Sequence, residues 1–236
     1  MDTTVFEKKY TITTNMGDRN DALLMTSVLD IFQDAAGKHA EIISEDPKKM
    51  LERGFAWVLV RNRTEIIGKI DINNDIYVRT YQSAIGQASY EREYFLYNKN
   101  DEIVAKGESK WCIIDVNNGK IVPTSMIINT NEILEVKSFN FPCTRIKGIE
   151  SIYCEVTYKV QYSDLDHNQH CNNTRYVMPI INHFKKNIKY IEMNFLKQSY
   201  LDDELVFKYQ KIDDDKFYVF VYRDEELINK CYIELA

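Results

Sequence analysis

The sequence contains an internal repeat in which matching residues lie 148 positions apart. Tyr10 precedes the triplet Asp18-Arg-Asn20 by eight residues, and Tyr158 precedes the triplet Asp166-His-Asn168 by the same number. The position of the triplets and the order of the predicted elements agree independently, which favours a duplicated fold over a chance match of two short triplets. A duplicated chain must build two similar units, and this requirement limits the possible architectures more than any other feature of the sequence.

Alternating β-branched and aromatic residues predict long antiparallel strands through most of the chain. Clusters of Asn, Asp and Gly at 98–101, 117–119 and 213–215 separate these strands and are typical of turns. The predicted order of elements is one strand, one long helix and four strands, followed by a connector and the same order again. This order agrees with the duplication.

Two stretches have helical spacing of apolar residues over several turns, and we predict helices over Thr26–Ile43 and Asn173–Ile188. Pro179 interrupts the second pattern, so that helix must begin late or kink. We therefore predict an α+β fold of two repeats. The N-terminal repeat covers residues 1–128, a linker covers 129–149, and the C-terminal repeat covers 150–236.

The composition of the 236 residues is that of a globular protein, with 44% hydrophobic and 28% charged residues. The longest apolar run, Phe55–Val60, is far shorter than the roughly 20 residues of a membrane helix, so we expect no membrane insertion. The net charge of −6 argues against nucleic-acid binding, because phosphate neutralisation requires clustered Lys and Arg. Five cysteines at unrelated spacings, and an N-terminus without an apolar signal segment, predict a cytoplasmic protein.

The two repeats differ at a position that matters for chemistry, since Ala22 in the first repeat stands opposite His170 in the second. Histidine can accept a proton near neutral pH, and asparagine can donate a hydrogen bond to an oxyanion. Asp166, Asn168 and His170 therefore predict a site that hydrolyses an activated acyl group. The alternative is that the Asp and the Asn only turn the chain and cap the helix, as these residue types often do.

The string from Asp166 to Tyr176 resembles the D-x-N-x-H-x-N-N-x-x-Y signature of the acyl-acyl-carrier-protein thioesterases of plants and bacteria. Residues 29–39 and 57–61 are similar to the N-terminal helix and the following strand of that family. The resemblance implies a tandem hot-dog fold, in which each repeat is a long helix wrapped by an antiparallel sheet. It also implies hydrolysis of the thioester between a fatty acyl chain and the phosphopantetheine arm of acyl carrier protein, which releases free fatty acid and ends chain elongation.

The resemblance also implies roles for individual residues. Asp166, Asn168 and His170 fall on the catalytic Asp, Asn and His of the family, and no metal or organic cofactor is needed. The acyl chain is expected in the N-terminal repeat, where small residues of the first helix leave room beside it. The expected substrate-binding residues are Ala35, Ala36, Trp57 and Asn173.

Two adjacent positions depart from the family pattern. Gln198 and Ser199 stand in the expected strand after the second helix, where the family usually has a Glu-Cys pair. Glutamine cannot act as a general base, because its amide binds no proton near neutral pH, and serine is a weak nucleophile without a base in reach. We therefore prefer water as the nucleophile and His170 as the base, with Asp166 orienting the site and Gln198 positioning the water or the substrate carbonyl.

Two other functions stay open at this point. Related single hot-dog enzymes share the motif Asp, so an acyl-CoA thioesterase is the close alternative. The change at Gln198 and Ser199 also makes a non-catalytic acyl-binding hot-dog protein credible. The sequence does not decide between a monomer and an oligomer such as a homodimer.

Overall fold

The structure is a computed structural model that describes residues 3–43, 46–70, 72–127, 132–144 and 146–236. The helices are α1 (Met25–Ile42), α2 (Pro47–Glu52) and α3 (Val177–Phe184). The strands are β1 (Phe6–Thr11), β2 (Phe55–Ile66), β3 (Asp75–Ile85), β4 (Tyr90–Tyr97), β5 (Ile103–Asp115), β6 (Cys154–Lys159), β7 (Ile188–Phe195), β8 (Glu204–Asp213), β9 (Lys216–Arg223) and β10 (Glu226–Leu235). The predicted α+β class is confirmed.

The described residues form two compact units, the first comprising the chain up to residue 23 together with 27–142, and the second comprising 24–26 together with 143–236. The strand order is β1-β3-β4-β5-β2 in the N-terminal unit and β6-β8-β9-β10-β7 in the C-terminal unit. All neighbouring strands within each unit pair antiparallel. The two orders correspond strand for strand, which confirms the repeat. The division at residues 128 and 149 stays a prediction, and residue 128 lies outside the described residues.

Helix α1 packs on one face of the sheet in the N-terminal unit. The Phe32 ring stacks on Tyr94 of β4, with 4.8 Å between the ring centroids. Gly107 on β5 permits this close approach, because a Cβ atom there would lie only 2.8 Å from a carbon of the Phe32 ring. Ala35 is completely buried beside these residues, and Ala36 is 9% exposed. The periodic apolar face predicted for this helix therefore covers the core of the unit.

Helix α3 is shorter than the predicted range Asn173–Ile188, which is wrong at both ends. Pro179 lies in the first turn of the helix, where a missing N–H breaks no helical hydrogen bond, so the helix begins late as the proline predicted. The helix ends at Phe184 because Lys185 adopts a left-handed backbone with φ 54°, and its N–H donates to the carbonyl of Ile181 at 2.8 Å. No helix in the described part of the chain is long and apolar enough to cross a bilayer.

The described residues of the predicted linker are anchored by two buried glutamates. In the N-terminal unit, the N–H and the hydroxyl of Ser138 donate to Glu93 at 2.9 and 2.6 Å. In the C-terminal unit, the N–H and the hydroxyl of Thr144 donate to Glu192 at 2.7 and 3.0 Å. Both carboxylates have no solvent exposure, so these bonds replace hydration that the carboxylates have lost. The described part of the linker is therefore held by hydrogen bonds at Ser138 and at Thr144.

Candidate active site

Three of the predicted catalytic residues lie in one tight loop between β6 and α3. Asp166 Oδ1 accepts the N–H of Asn168 at 2.8 Å and the N–H of His170 at 3.2 Å. The N–H of Asp166 in turn donates to the carbonyl of His170 at 2.8 Å. Gln169 occupies the tip of the loop with φ 63°, a left-handed conformation that closes the turn. One carboxylate thus fixes the backbone that carries Asn168 and His170.

The N-terminal unit contains the same loop without the histidine. Asp18 Oδ1 accepts the N–H of Asn20 at 2.7 Å and the N–H of Ala22 at 3.1 Å. The N–H of Asp18 donates to the carbonyl of Ala22 at 2.8 Å, and Asp21 at the tip has φ 59°. Because the hydrogen bonds match one for one, turn formation explains the Asp in both units. It does not explain the imidazole of His170, which is present in one unit only.

The imidazole of His170 is half-buried against the ring of Tyr200, edge to face, with 5.2 Å between the ring centroids. Tyr200 is itself fixed, since its N–H donates to Asp203 at 2.8 Å and Arg223 lies over its ring. The same Arg223 pairs with Asp203 at 3.0 Å. Sequence reasoning missed Tyr200, because it lies 30 residues after His170 and belongs to no motif. It limits the orientations that the imidazole can adopt.

Gln198 and Ser199 follow β7, which ends at Phe195, so their predicted place inside the strand is wrong. Leu196 and Lys197 both donate their N–H groups to the carbonyl of Ile228, and this irregular pairing ends the ladder. The Gln198 side chain is exposed. The carbonyl of Ser199 accepts the N–H of Cys171 at 2.8 Å. The segment 198–200 therefore contacts the end of the loop that begins at Asp166, through Ser199 and through Tyr200.

Ser199 is not placed as an activated nucleophile. Its side chain is completely buried, and Oγ lies 2.6 Å from the phenol oxygen of Tyr176. Burial raises the pKa of Tyr176, so the phenol stays protonated and provides no base. Burial, with Asp164 nearby, also raises the pKa of the Cys171 thiol to about 12, so this thiol is not a nucleophile at neutral pH.

Asp164, two residues before the loop, stabilises it through hydrogen bonds. The sequence analysis did not identify this residue. Its buried carboxylate accepts the hydroxyl of Tyr158 at 2.5 Å and the N–H of Gln161 at 2.8 Å. Its carbonyl accepts the N–H of Asn172 at 2.8 Å, directly after the loop. The repeat gives no signal for this role, because the residue 148 positions earlier is Met16.

The four expected substrate-binding residues are divided between the two units. Asn173 is half-buried in the turn before α3, whereas Ala35 and Ala36 belong to the apolar core under α1. Trp57 on β2 packs its ring edge-on against Tyr90 at 4.9 Å, in a second apolar cluster of the N-terminal unit. The structure therefore brings together Asp166, Asn168, His170 and Ser199 in the C-terminal unit, and Ala35 and Ala36 in the N-terminal unit.

Both halves of the chain match models of one protein family. Residues 3–130 match the acyl-ACP thioesterase N-terminal domain, and residues 150–222 match the acyl-ACP thioesterase C-terminal domain. The chloroplastic oleoyl-acyl carrier protein thioesterase of Coriandrum sativum is 20% identical over 189 residues, which are 72% of this chain and 51% of that protein. The chain thus spans about half the length of this curated relative.

Two solved structures share the fold of this chain over nearly the whole length of both chains. An acyl-ACP thioesterase from Bacteroides thetaiotaomicron has a TM-score of 0.87 at 22% identity, with 99% of this chain and 98% of that chain covered. The 12:0-ACP thioesterase of Umbellularia californica has a TM-score of 0.83 at 16% identity, with 99% and 97% covered. These similarities confirm the predicted tandem hot-dog fold. With both domain models matched in order, the chain belongs to the acyl-ACP thioesterase family.

Proposed function

We propose that this protein hydrolyses the thioester of fatty acyl-acyl carrier protein and releases the free fatty acid. The observation that carries the proposal is the pair of matched loops, of which only the C-terminal one holds an imidazole, that of His170. A histidine placed where the other repeat has alanine needs an explanation beyond the turn, and proton transfer near neutral pH provides it. Membership of the family supplies the substrate class.

In the proposed mechanism, the oxygen of a water molecule attacks the thioester carbonyl carbon while His170 accepts a proton from that water. The side chain of Asn168, exposed at the loop surface, donates to the developing oxyanion. The carbon–sulfur bond then breaks, and the thiol of the phosphopantetheine arm leaves with the proton returned by His170. The products are a free fatty acid and the carrier thiol.

The remaining site residues position these groups. Asp166 acts through the backbone, since Oδ1 holds the N–H groups of Asn168 and His170. Tyr200 packs against the imidazole, and Gln198 positions the attacking water or the carbonyl through its exposed amide. We place the acyl chain in the N-terminal unit beside Ala35 and Ala36, because small apolar side chains allow a hydrocarbon chain to approach α1 closely.

A reducing compartment suits the cysteines of this chain. Cys112, Cys154, Cys171 and Cys231 have free thiols in the structure. Free thiols persist in the cytoplasm, where disulfides are rare. We therefore propose a cytoplasmic location, and the free thiols support it.

The test measures release of free thiol from acyl-acyl carrier protein by the wild type and by two matched variants, Asn168→Ala and Asn20→Ala. Both asparagines follow the turn carboxylate by two residues, so both variants disturb the same kind of loop. We expect Asn168→Ala to lower kcat/KM about 100-fold, the scale for loss of an oxyanion donor. Asn20→Ala should keep wild-type turnover. The proposal fails if no acyl carrier releases thiol, or if the two variants lose activity equally.

A second arm of the same assay uses acyl-CoA of the same chain length. We expect a higher kcat/KM with the carrier protein than with CoA. A higher value with CoA would make the chain an acyl-CoA thioesterase, and acyl binding without turnover of either substrate would support a non-catalytic protein.

A further inference from the structure

The interior of the N-terminal unit contains a band of polar side chains between two apolar clusters. One cluster surrounds Phe32 and Ala35, and the other surrounds Trp57 and Ile113. Along β5, Ala105 belongs to the first cluster and Ile113 to the second, and Gly107, Ser109 and Trp111 alternate between them. The polar band consists of His39, Asn62, Thr80, Arg92, Ser109 and the hydroxyl of Tyr94.

Most members of the polar band satisfy one another. Ser109 Oγ accepts the indole N–H of Trp111 at 2.7 Å and shares a hydrogen bond with the Tyr94 hydroxyl at 2.9 Å. Arg92 donates to Nδ1 of His39 at 2.8 Å and to the Thr80 hydroxyl at 3.2 Å. The other nitrogen of His39, Nε2, donates to a backbone carbonyl near the N-terminus at 2.7 Å. These members of the polar band are therefore hydrogen-bonded within the chain.

Asn62 is the exception in the polar band. It lies on β2 directly across from Ser109, and its side chain is 9% exposed. Its Oδ1 is buried and has no hydrogen-bond partner among the described residues. A buried amide oxygen without a partner is unfavourable, and such atoms are rare in folded proteins. The Asn62 Oδ1 can thus accept a hydrogen bond from a group that enters this core from outside the chain.

We propose that Asn62 binds a hydroxyl group carried by the acyl chain, and that the protein therefore prefers hydroxyacyl chains. This inference rests on the proposed function. A hydroxyl both donates and accepts, so it satisfies the carboxamide whichever way the amide is oriented. Asn62 pairs with Ser109 on the sheet face where Tyr94 stacks on Phe32 of α1, the helix that also carries Ala35 of the proposed acyl site. A polar contact flanked by two apolar clusters fits a single hydroxyl on a hydrocarbon chain.

The test compares kcat/KM for acyl-acyl carrier protein substrates of one chain length, unsubstituted or with a hydroxyl placed at successive carbons. We expect the wild type to favour one hydroxyacyl substrate by about tenfold, the scale of one net hydrogen bond. Asn62→Leu, which keeps the volume and removes the amide, should abolish this preference. Asn229→Leu is the matched control, because Asn229 is also buried with an unpartnered amide nitrogen, but on β10 of the C-terminal unit. It should keep the preference.

The outcomes separate this inference from the proposed function. Equal turnover of all substrates by the wild type overturns the hydroxyl preference, and this result does not depend on whether any variant folds. A preference that survives in Asn62→Leu, or that is lost equally in Asn229→Leu, also overturns it. Absence of thiol release from every substrate overturns the proposed function and this inference with it.

Discussion

The carboxylate of Asp166 accepts the backbone N–H of His170 at 3.2 Å, as the carboxylate of Asp18 accepts the N–H of Ala22 at 3.1 Å. The same bond thus exists once in a loop with an imidazole and once in a loop without one. The duplication therefore provides an internal control for every experiment on the C-terminal loop.

Matched variants of Asp166 and Asp18 distinguish the effect of the turn carboxylate on stability from its effect on activity. Asp166→Ala and Asp18→Ala each remove an acceptor of two backbone N–H groups, so each should lower the free energy of unfolding by about 1 kcal/mol. Only Asp166→Ala should also lower kcat/KM, because only that loop positions an imidazole. Urea unfolding and thiol release check the two effects. Full activity of Asp166→Ala would show that the carboxylate does not orient the site.

The loops, the strands and their order were predictable from the sequence, because turn residues and alternating apolar residues act locally and recur at one offset. The C-terminal end of α3 was not predictable. It depends on the left-handed backbone of Lys185, and lysine does not usually favour that conformation. The contacts of Tyr200 with His170 and of Ser199 with Tyr176 were not predictable either. They join segments that are distant along the chain, and no local pattern encodes them.

Ser199→Ala should cost stability and leave turnover nearly unchanged. The variant leaves the buried Tyr176 hydroxyl without its partner, which should lower the free energy of unfolding by about 1–3 kcal/mol. The double variant Tyr176→Phe with Ser199→Ala removes both polar groups and should lose less than the sum of the single variants. Abolished turnover in Ser199→Ala, with an acyl-enzyme in the wild type, would make Ser199 the nucleophile instead of water.

Ala36→Phe should shift the chain-length preference towards shorter acyl chains. Ala36 faces the core under α1, so a phenyl group there would occupy space that we assign to the end of the acyl chain. The control is Gly37→Phe, since a Cβ at Gly37 meets no atom within 4 Å. Turnover rates across a series of acyl lengths provide the measurement. An unchanged profile in Ala36→Phe would place the acyl chain elsewhere.

Stability should fall in mildly acidic solution because of His39. Burial, with Arg92 beside it, lowers the pKa of His39 from 6.5 to about 4, against a backbone hydrogen bond that raises it. The unfolded chain therefore takes up this proton first as the pH falls, and the stabilisation present above pH 6.5 is lost progressively down to about pH 4. The loss from this group should not exceed about 3 kcal/mol. Urea unfolding at several pH values should show a smaller decline in His39→Gln, and an equal decline would assign the effect to other groups.

The most direct test of proton transfer by His170 is kcat/KM of His170→Ala on one acyl-acyl carrier protein substrate, after circular dichroism has shown that the variant is folded. The imidazole packs on Tyr200 at the loop surface, so its removal should leave the loop hydrogen bonds intact. We predict a fall of roughly 100-fold or more, the scale for loss of a general base. Wild-type turnover by folded His170→Ala would contradict the claim that this imidazole performs the chemistry.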